Sequence, residues 1–337
     1  MIWIVIGFLA LSLFLYCLLG GADFGAGILK IFTKRKDHEK YDEIVAKAMG
    51  PVWEANHIWL IILIVILFNG FPTAYSTVSI YFHVPLMIML LGIIIRGCAF
   101  TFRHYDAIRD NARYYYDVFF SFSSFLTPLM LGMIVGGLML GRVDPQGQGY
   151  YAVYMAPWFN WFCFSVGIFT VSIFAFLASV FLIGETQDQT WQLHFMEKAK
   201  VANLIAIILG GVVFLTAQLE GYPLLEHYLT RPLSLTGVLL ATVSLFPLWL
   251  ALKRRAVWHS RFWAGFQLAM ILAAWFMTIF PEILSMKNSQ SLTFFNTSAP
   301  QVSLNILGWA LIIGVFFFIP ALSYLLWVFK ANPRQGF

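Results

Sequence analysis

Nine predominantly apolar runs alternate with short polar segments along the chain, near 2–30, 52–71, 79–102, 117–140, 160–184, 202–219, 235–252, 262–280 and 305–329. Each approaches the roughly 20 residues that cross a bilayer's hydrocarbon core. None shows the alternating pattern of a membrane β-barrel, and lipid offers backbone polar groups no partners, so every run is predicted to be helical. Pro247 interrupts the run at 235–252, which barely reaches bilayer length. The segments 31–51, 141–159, 185–201, 220–234 and 281–304 are each too short to fold alone. The predicted fold class is therefore all-α and integral to the membrane, a single polytopic domain over 1–337 without a repeat of fixed period.

Composition reinforces the pattern. Hydrophobic residues make up 60% of the 337 and charged residues 11%, against about a quarter charged in soluble domains. Charge distribution then supplies orientation, because cytoplasmic loops collect Lys and Arg. Lys30, Lys34, Arg35, Lys36, Lys40 and Lys47 follow the first run, and Arg103, Arg109 and Arg113 the third. Lys198 and Lys200 follow the fifth, Lys253, Arg254, Arg255 and Arg261 the seventh, and Lys330 and Arg334 the last. These are 17 of the 21 basic residues; Arg142, Arg231 and Lys287 lie on the other side, and Arg96 within a run. The split predicts an external N-terminus and a cytoplasmic C-terminus, and it gives the net charge of +5 to topology rather than to nucleic acid. No basic segment precedes the first run, which is expected to be retained as a span.

Ionisable groups inside a span are costly and mark candidate function. Asp23 lies in Gly20-Gly21-Ala22-Asp23-Phe24-Gly25, about 10 Å below Lys30 at 1.5 Å per residue. Glu54 opens the second run, Arg96 lies about 10 Å before Arg103, and Asp117 begins the fourth. If the first four spans share one bundle, these groups can meet. One reading is an ion-pair network that locks helices, with Arg96 neutralising Asp23 or Glu54. The other is proton handling, since burial disfavours the charged form of a carboxylate and lets it exchange protons near neutral pH. One arginine cannot offset two buried carboxylates, so Glu54 is the expected titrating group.

Gly21 and Gly25 have the small-xxx-small spacing of close helix approach. His57 and His83 fall at opposite depths, so they cannot clamp one haem and are expected to be hydrogen-bonded core residues. Cys17, Cys98 and Cys163 fit neither a disulfide framework nor a metal motif and read as small buried residues.

Three stretches carry a resemblance across essentially the whole chain. They are Gly20 to Gly27, then Pro51-Val52-Trp53-Glu54-Ala55-Asn56-His57-Ile58-Trp59-Leu60, then Arg96-Gly97-Cys98-Ala99-Phe100-Thr101-Phe102-Arg103. Together with Ser303-Leu304-Asn305 and the aromatic last run, they resemble subunit II of the cytochrome bd-type quinol oxidases, most specifically in Trp53, Glu54, Asn56 and Trp59. The resemblance implies two four-helix bundles plus one further helix, here 1–140, 141–280 and 281–337. It implies no cofactor in this chain, with haem b and haem d in a larger subunit I that oxidises quinol and reduces dioxygen. Bound lipid or quinone and a small third subunit are compatible with it, and the location implied is the bacterial cytoplasmic membrane. Glu54, Asp23, Asp117 and Thr101 become proton-path candidates, and Arg96 a structural partner. Thr101 stands where the family commonly has a carboxylate; a hydroxyl relays through water but cannot store a proton. The rival is an ion-coupled secondary transporter, but the glycine cluster of the first run has no twin in a second half.

Overall fold

A computed structural model describes residues 1–50, 53–105 and 112–331. Pro51 and Val52 of the second motif, and the basic Arg109 and Arg334, lie outside the described residues. Among those described, nine helices are long and apolar enough to cross a membrane.

The first crossing is not a uniform helix: α1 (Ile2–Leu15) passes through a π turn, Tyr16–Gly20, into α2 (Gly21–Ile31). A short α3 (His38–Met49) precedes α4 (Trp53–Gly70), α5 (Pro72–Tyr81), α6 (His83–Tyr105) and α7 (Ala112–Leu140). Then come α8 (Trp161–Ile183), α9 (Gln189–Leu219), α10 (Leu224–Thr230), α11 (Pro232–Val243), α12 (Leu245–Lys253) and α13 (Val257–Ile279). A two-stranded antiparallel ladder, β1 (Glu282–Leu284) with β2 (Leu292–Thr293), covers one end before α14 (Gln301–Ala331).

Proline punctuates as its chemistry requires. Pro247 has no N–H for the Val243 carbonyl, and the seventh crossing breaks between α11 and α12 at Ser244. The third crossing starts at His83 rather than 79, because the preceding residues form the separate α5, with Pro72 at its first turn. The ninth has the smallest buried share of the nine.

The core sits around α8, which packs against α2, α7, α9 and α13. The basic segments are more structured than their length suggested. Asp188 accepts from the Thr190 N–H and starts α9 about 13 residues before the expected span. The added turns bury Trp191, Phe195 and Ala199, and the first two meet the Tyr41 ring of α3.

Candidate functional site

Glycine decides how deeply α2 sits. A Cβ on Gly25 would stand 1.9 Å from the Phe174 carbonyl oxygen of α8, and one on Gly27 would stand 2.1 Å from Ser124 Oγ of α7. Only hydrogen fits at either place, so α2 is wedged between two neighbours, and Gly21 meets the Phe174 ring on the α8 side. Asp23 is fully buried. Its Oδ1 accepts from Arg96 Nη2 at 2.5 Å, and the same nitrogen donates to the Asp23 carbonyl at 3.1 Å. Arg96 Nε donates to Ser124 Oγ at 3.2 Å, and the guanidinium lies 4.8 Å from the Phe24 ring centre and 5.2 Å from that of Phe120. One arginine thereby pins α2, α6 and α7.

A second charge cluster lies two turns along α2. Lys30 was grouped with the loop residues that set topology; its ammonium is instead buried, 2.9 Å from Asp42 Oδ1 of α3 and 2.7 Å from Asp117 Oδ1 of α7. Tyr41 donates to the Ala26 carbonyl at 2.6 Å, and Lys198 of α9 donates to Thr33 Oγ1 at 2.7 Å. The short α3 is thus fastened over the end of α2. Sequence reasoning missed Lys30, Asp42 and Tyr41.

The expected meeting of Asp23, Glu54, Arg96 and Asp117 does not occur as one cluster. Asp23 joins Arg96, Asp117 joins Lys30, and Glu54 joins neither. Its side chain is exposed rather than buried, and it makes no hydrogen bond or ion pair among the described residues. The reason is angular. At 100° per residue, Trp53, Asn56 and His57 turn inward and Glu54 outward. The Trp53 ring packs 3.3 Å from where a Gly97 Cβ would stand and meets Phe100 and His57, while Asn56 and Trp59 are buried. Glu54 instead heads the stripe of Ile61, Val65 and Phe68, all exposed. Thr101 is half-buried, and Cys98, expected inside, is exposed.

Around the π turn, several buried polar atoms have no protein partner among the described residues. They are Ser12 Oγ, Tyr16 Oη, Asp23 Oδ2, His57 Nδ1, Trp59 Nε1 and Arg96 Nη1. His57 therefore departs from the expected hydrogen-bonded core histidine at that nitrogen, whereas His83 Nδ1 contacts the Ile80 carbonyl at 2.8 Å. A buried polar atom left dry costs about 1–3 kcal/mol. Six of them would consume a net stability of roughly 5–15 kcal/mol. Among the described residues, no three His, Cys, Asp or Glu side chains converge as metal ligands.

Comparison with known proteins gives one consistent result. Residues 1–329 match the sequence profile of the family described as cytochrome bd terminal oxidase subunit II. Cytochrome bd-I ubiquinol oxidase subunit 2 of Escherichia coli (strain K12) is 26% identical, with 93% of this chain and 89% of the relative aligned. Cytochrome bd ubiquinol oxidase subunit 2 of Bacillus subtilis (strain 168) is 25% identical, with 93% and 90% aligned. The fold is similar to a chain of the bd oxidase from Geobacillus thermodenitrificans, with TM-score 0.76, 22% identity and coverage of 98% of this chain and 99% of that one.

Proposed function

Because this chain belongs to the cytochrome bd terminal oxidase subunit II family, we propose that it is the haem-free subunit of a quinol oxidase, supporting a larger haem-bearing subunit I and feeding it protons from the cytoplasm. The observation that carries the proton role is Glu54. It is a carboxylate on the outward face of α4, at the head of the exposed apolar stripe Ile61, Val65 and Phe68. In this reading the larger subunit covers that face, and the carboxylate, a group that is costly against lipid, is enclosed at the contact.

The partner role has its own support. On α14, Val302, Ile306, Trp309, Ile313 and Phe316 are all exposed at alternating spacings of four and three, the seam of a helix that packs on another. The excess of Lys and Arg in alternate loops supports an external N-terminus and a cytoplasmic C-terminus, an orientation in which Glu54 is on the proton-supplying side. Asp23 is tied to Arg96 and Asp117 to Lys30, so these two fasten helices in this reading. Reduction of dioxygen to water consumes one proton per electron, and drawing those protons from the cytoplasm lets turnover charge the membrane.

The test is Glu54→Gln in the intact oxidase. Oxygen consumption is expected to fall by about a hundredfold or more, in the range lost with a proton-transferring side chain, while the haem absorption of the complex is unchanged. Wild-type turnover would overturn the proton role. Loss of the haem signal would show Glu54 to be structural.

A further inference from the structure

We propose that the turn joining α12 to α13 binds the headgroup of an anionic phospholipid, with the exposed aromatic side chains beside it flanking the acyl chains. The site is remote from Glu54 in the chain and is independent of the proton role.

Positive charge is concentrated at this turn and is not neutralised there. Lys253, Arg254, Arg255 and His259 are all exposed. No Asp or Glu occurs between Glu226 and Glu282, so α11, α12 and α13 bring no carboxylate of their own. Glu185 reaches the start of α13 from the end of α8, but it accepts from Arg261 Nη2 at 2.7 Å, and the same nitrogen donates to the Phe181 carbonyl at 2.6 Å. Arg261 is thereby tied to α8, and among the described residues Lys253, Arg254 and Arg255 are in no ion pair. The other dense basic run, Lys34, Arg35 and Lys36, is followed at once by Asp37 and Glu39.

Basic loops set topology wherever they occur, so charge alone does not make a site. The backbone supplies the second observation. The Arg255 N–H donates to the Leu252 carbonyl at 3.2 Å and the Ala256 N–H to the Ala251 carbonyl at 3.0 Å, with Arg255 at φ +57°. This is the Schellman ending of a helix, whose left-handed position is usually taken by glycine. A side chain there crowds its own carbonyl, and a strained residue at such a position points to a role outside the backbone. The reversal is tight: α12 ends at Lys253 and α13 begins at Val257, so the last turn of one helix stands beside the first turn of the other. Ala256, at the head of α13, has no side-chain acceptor for the first N–H groups of that helix. Such N–H groups bind phosphate, and guanidinium groups match its oxygens in pairs.

The flanking surface suits acyl chains. Trp258 is 74% exposed and Phe262 63%, one helical turn apart on α13, and the Phe266 ring stacks on that of Phe262 with centres 6.4 Å apart. Phe246 of α12 is 78% exposed. The Trp258 ring lies 5.6 Å from the Arg261 guanidinium, which holds the indole at the level of the turn, the depth that tryptophan prefers at a membrane interface. A free phosphate ion would use only the polar half of this surface; a phospholipid uses both.

The test uses the intact oxidase, purified in mild detergent and stripped of lipid. Native mass spectrometry follows its titration with phosphatidylglycerol, or with phosphatidylcholine of the same chains. Phosphatidylglycerol is expected to bind at least about fivefold more tightly, the factor carried by one basic side chain at an anionic surface. Arg255→Gly relieves the left-handed position, so the aggregation temperature without lipid is expected to hold or rise, while phosphatidylglycerol binding weakens about fivefold. Adding Arg254→Gln brings the loss to about twenty-fivefold. Lys34→Gln with Lys36→Gln removes as much charge elsewhere and is expected to leave binding at the wild-type level. Wild-type binding by Arg255→Gly, or an equal loss from the Lys34 and Lys36 pair, would overturn the site. Displacement of phosphatidylglycerol by an equal concentration of inorganic phosphate would overturn the lipid as its occupant. A lower aggregation temperature for Arg255→Gly without lipid would make Arg255 part of the fold and overturn the proposal.

Discussion

Replacing Asp23 with alanine tests what the deepest ion pair contributes. The substitution deletes the 2.5 Å contact to Arg96 and leaves the guanidinium 1% exposed. Two magnitudes compete. Side-chain hydrogen bonds between membrane helices average about 0.6 kcal/mol. Removing one member of a buried ion pair costs about 3–5 kcal/mol, because the other charge stays desolvated. The geometry selects the larger figure. What remains to Arg96 is a carbonyl at 3.1 Å, a hydroxyl at 3.2 Å and two aromatic faces, none of which carries a negative charge. The cation–π contacts, worth up to about 2 kcal/mol in a desolvated site, are present before and after the substitution, so the expected loss stays at about 3–5 kcal/mol. Thermal aggregation of the complex in mild detergent can compare wild type, Asp23→Ala, Arg96→Met and the double variant. The charge-free double variant is expected to regain most of the loss, since apolar replacement of a buried pair is often neutral or better. Single variants that cost less than about 1 kcal/mol, or a double variant as weak as the sum of the two, would refute the argument that burial of charge dominates here.

Three further outcomes follow from other contacts. Gly25→Ala forces a methyl to within 1.9 Å of the Phe174 carbonyl and is expected to abolish assembly, whereas Gly7→Ala, with open space around it, should accumulate normally in membranes; equal yields would refute the wedge. Lys30→Met removes the ammonium standing between Asp42 and Asp117 and is expected to cost about 3–5 kcal/mol, seen as a lower aggregation temperature, with a wild-type temperature counting against it. Asp188 is held below the ordinary aspartate range by hydrogen bonds first from Lys40 and then from the Thr190 N–H, so the tether between α3 and α9 is in force above about pH 4 and fades as pH falls through the lowered value. Raised salt at pH 7 is expected to loosen this exposed pair and speed proteolysis of residues 32–37; no salt effect would show the tether to be idle.

The crossings were legible because hydrocarbon thickness is a length requirement, and a run of apolar residues states its own length. Pro247 was legible for a similar reason, as a missing donor breaks a helix wherever it falls. The basic segments were harder. Tyr41, Ile44, Val45, Ala48 and Met49 are all buried, at the three- and four-residue spacing of an amphipathic helix, so α3 had a readable signal that a search for apolar runs passes over. Lys30 had none, because nothing in sequence distinguishes an ammonium drawn towards water from one drawn between two carboxylates 12 and 87 residues away. Glu54 was read from depth alone, and depth does not fix the side of the helix it occupies. The direction around the helix depended on which neighbour Trp53 would choose, and that neighbour was Gly97.

The Asp23–Arg96 bond also has a history in time. Its members are 73 residues apart, and a ribosome adding about 5–20 residues per second delivers the second roughly 4–15 s after the first. Through that interval the first crossing must settle in the membrane with its acid uncompensated, at a penalty of about 2.5–3.5 kcal/mol on insertion scales. It has the means to do so: its mean hydropathy of 2.6 is the highest of the nine, against 2.0 for the crossing that brings the arginine. The greasiest segment thus emerges early and hosts the misfit charge, and the later one arrives to find its counter-ion waiting. Biogenesis is written into the order in which the two helices occur.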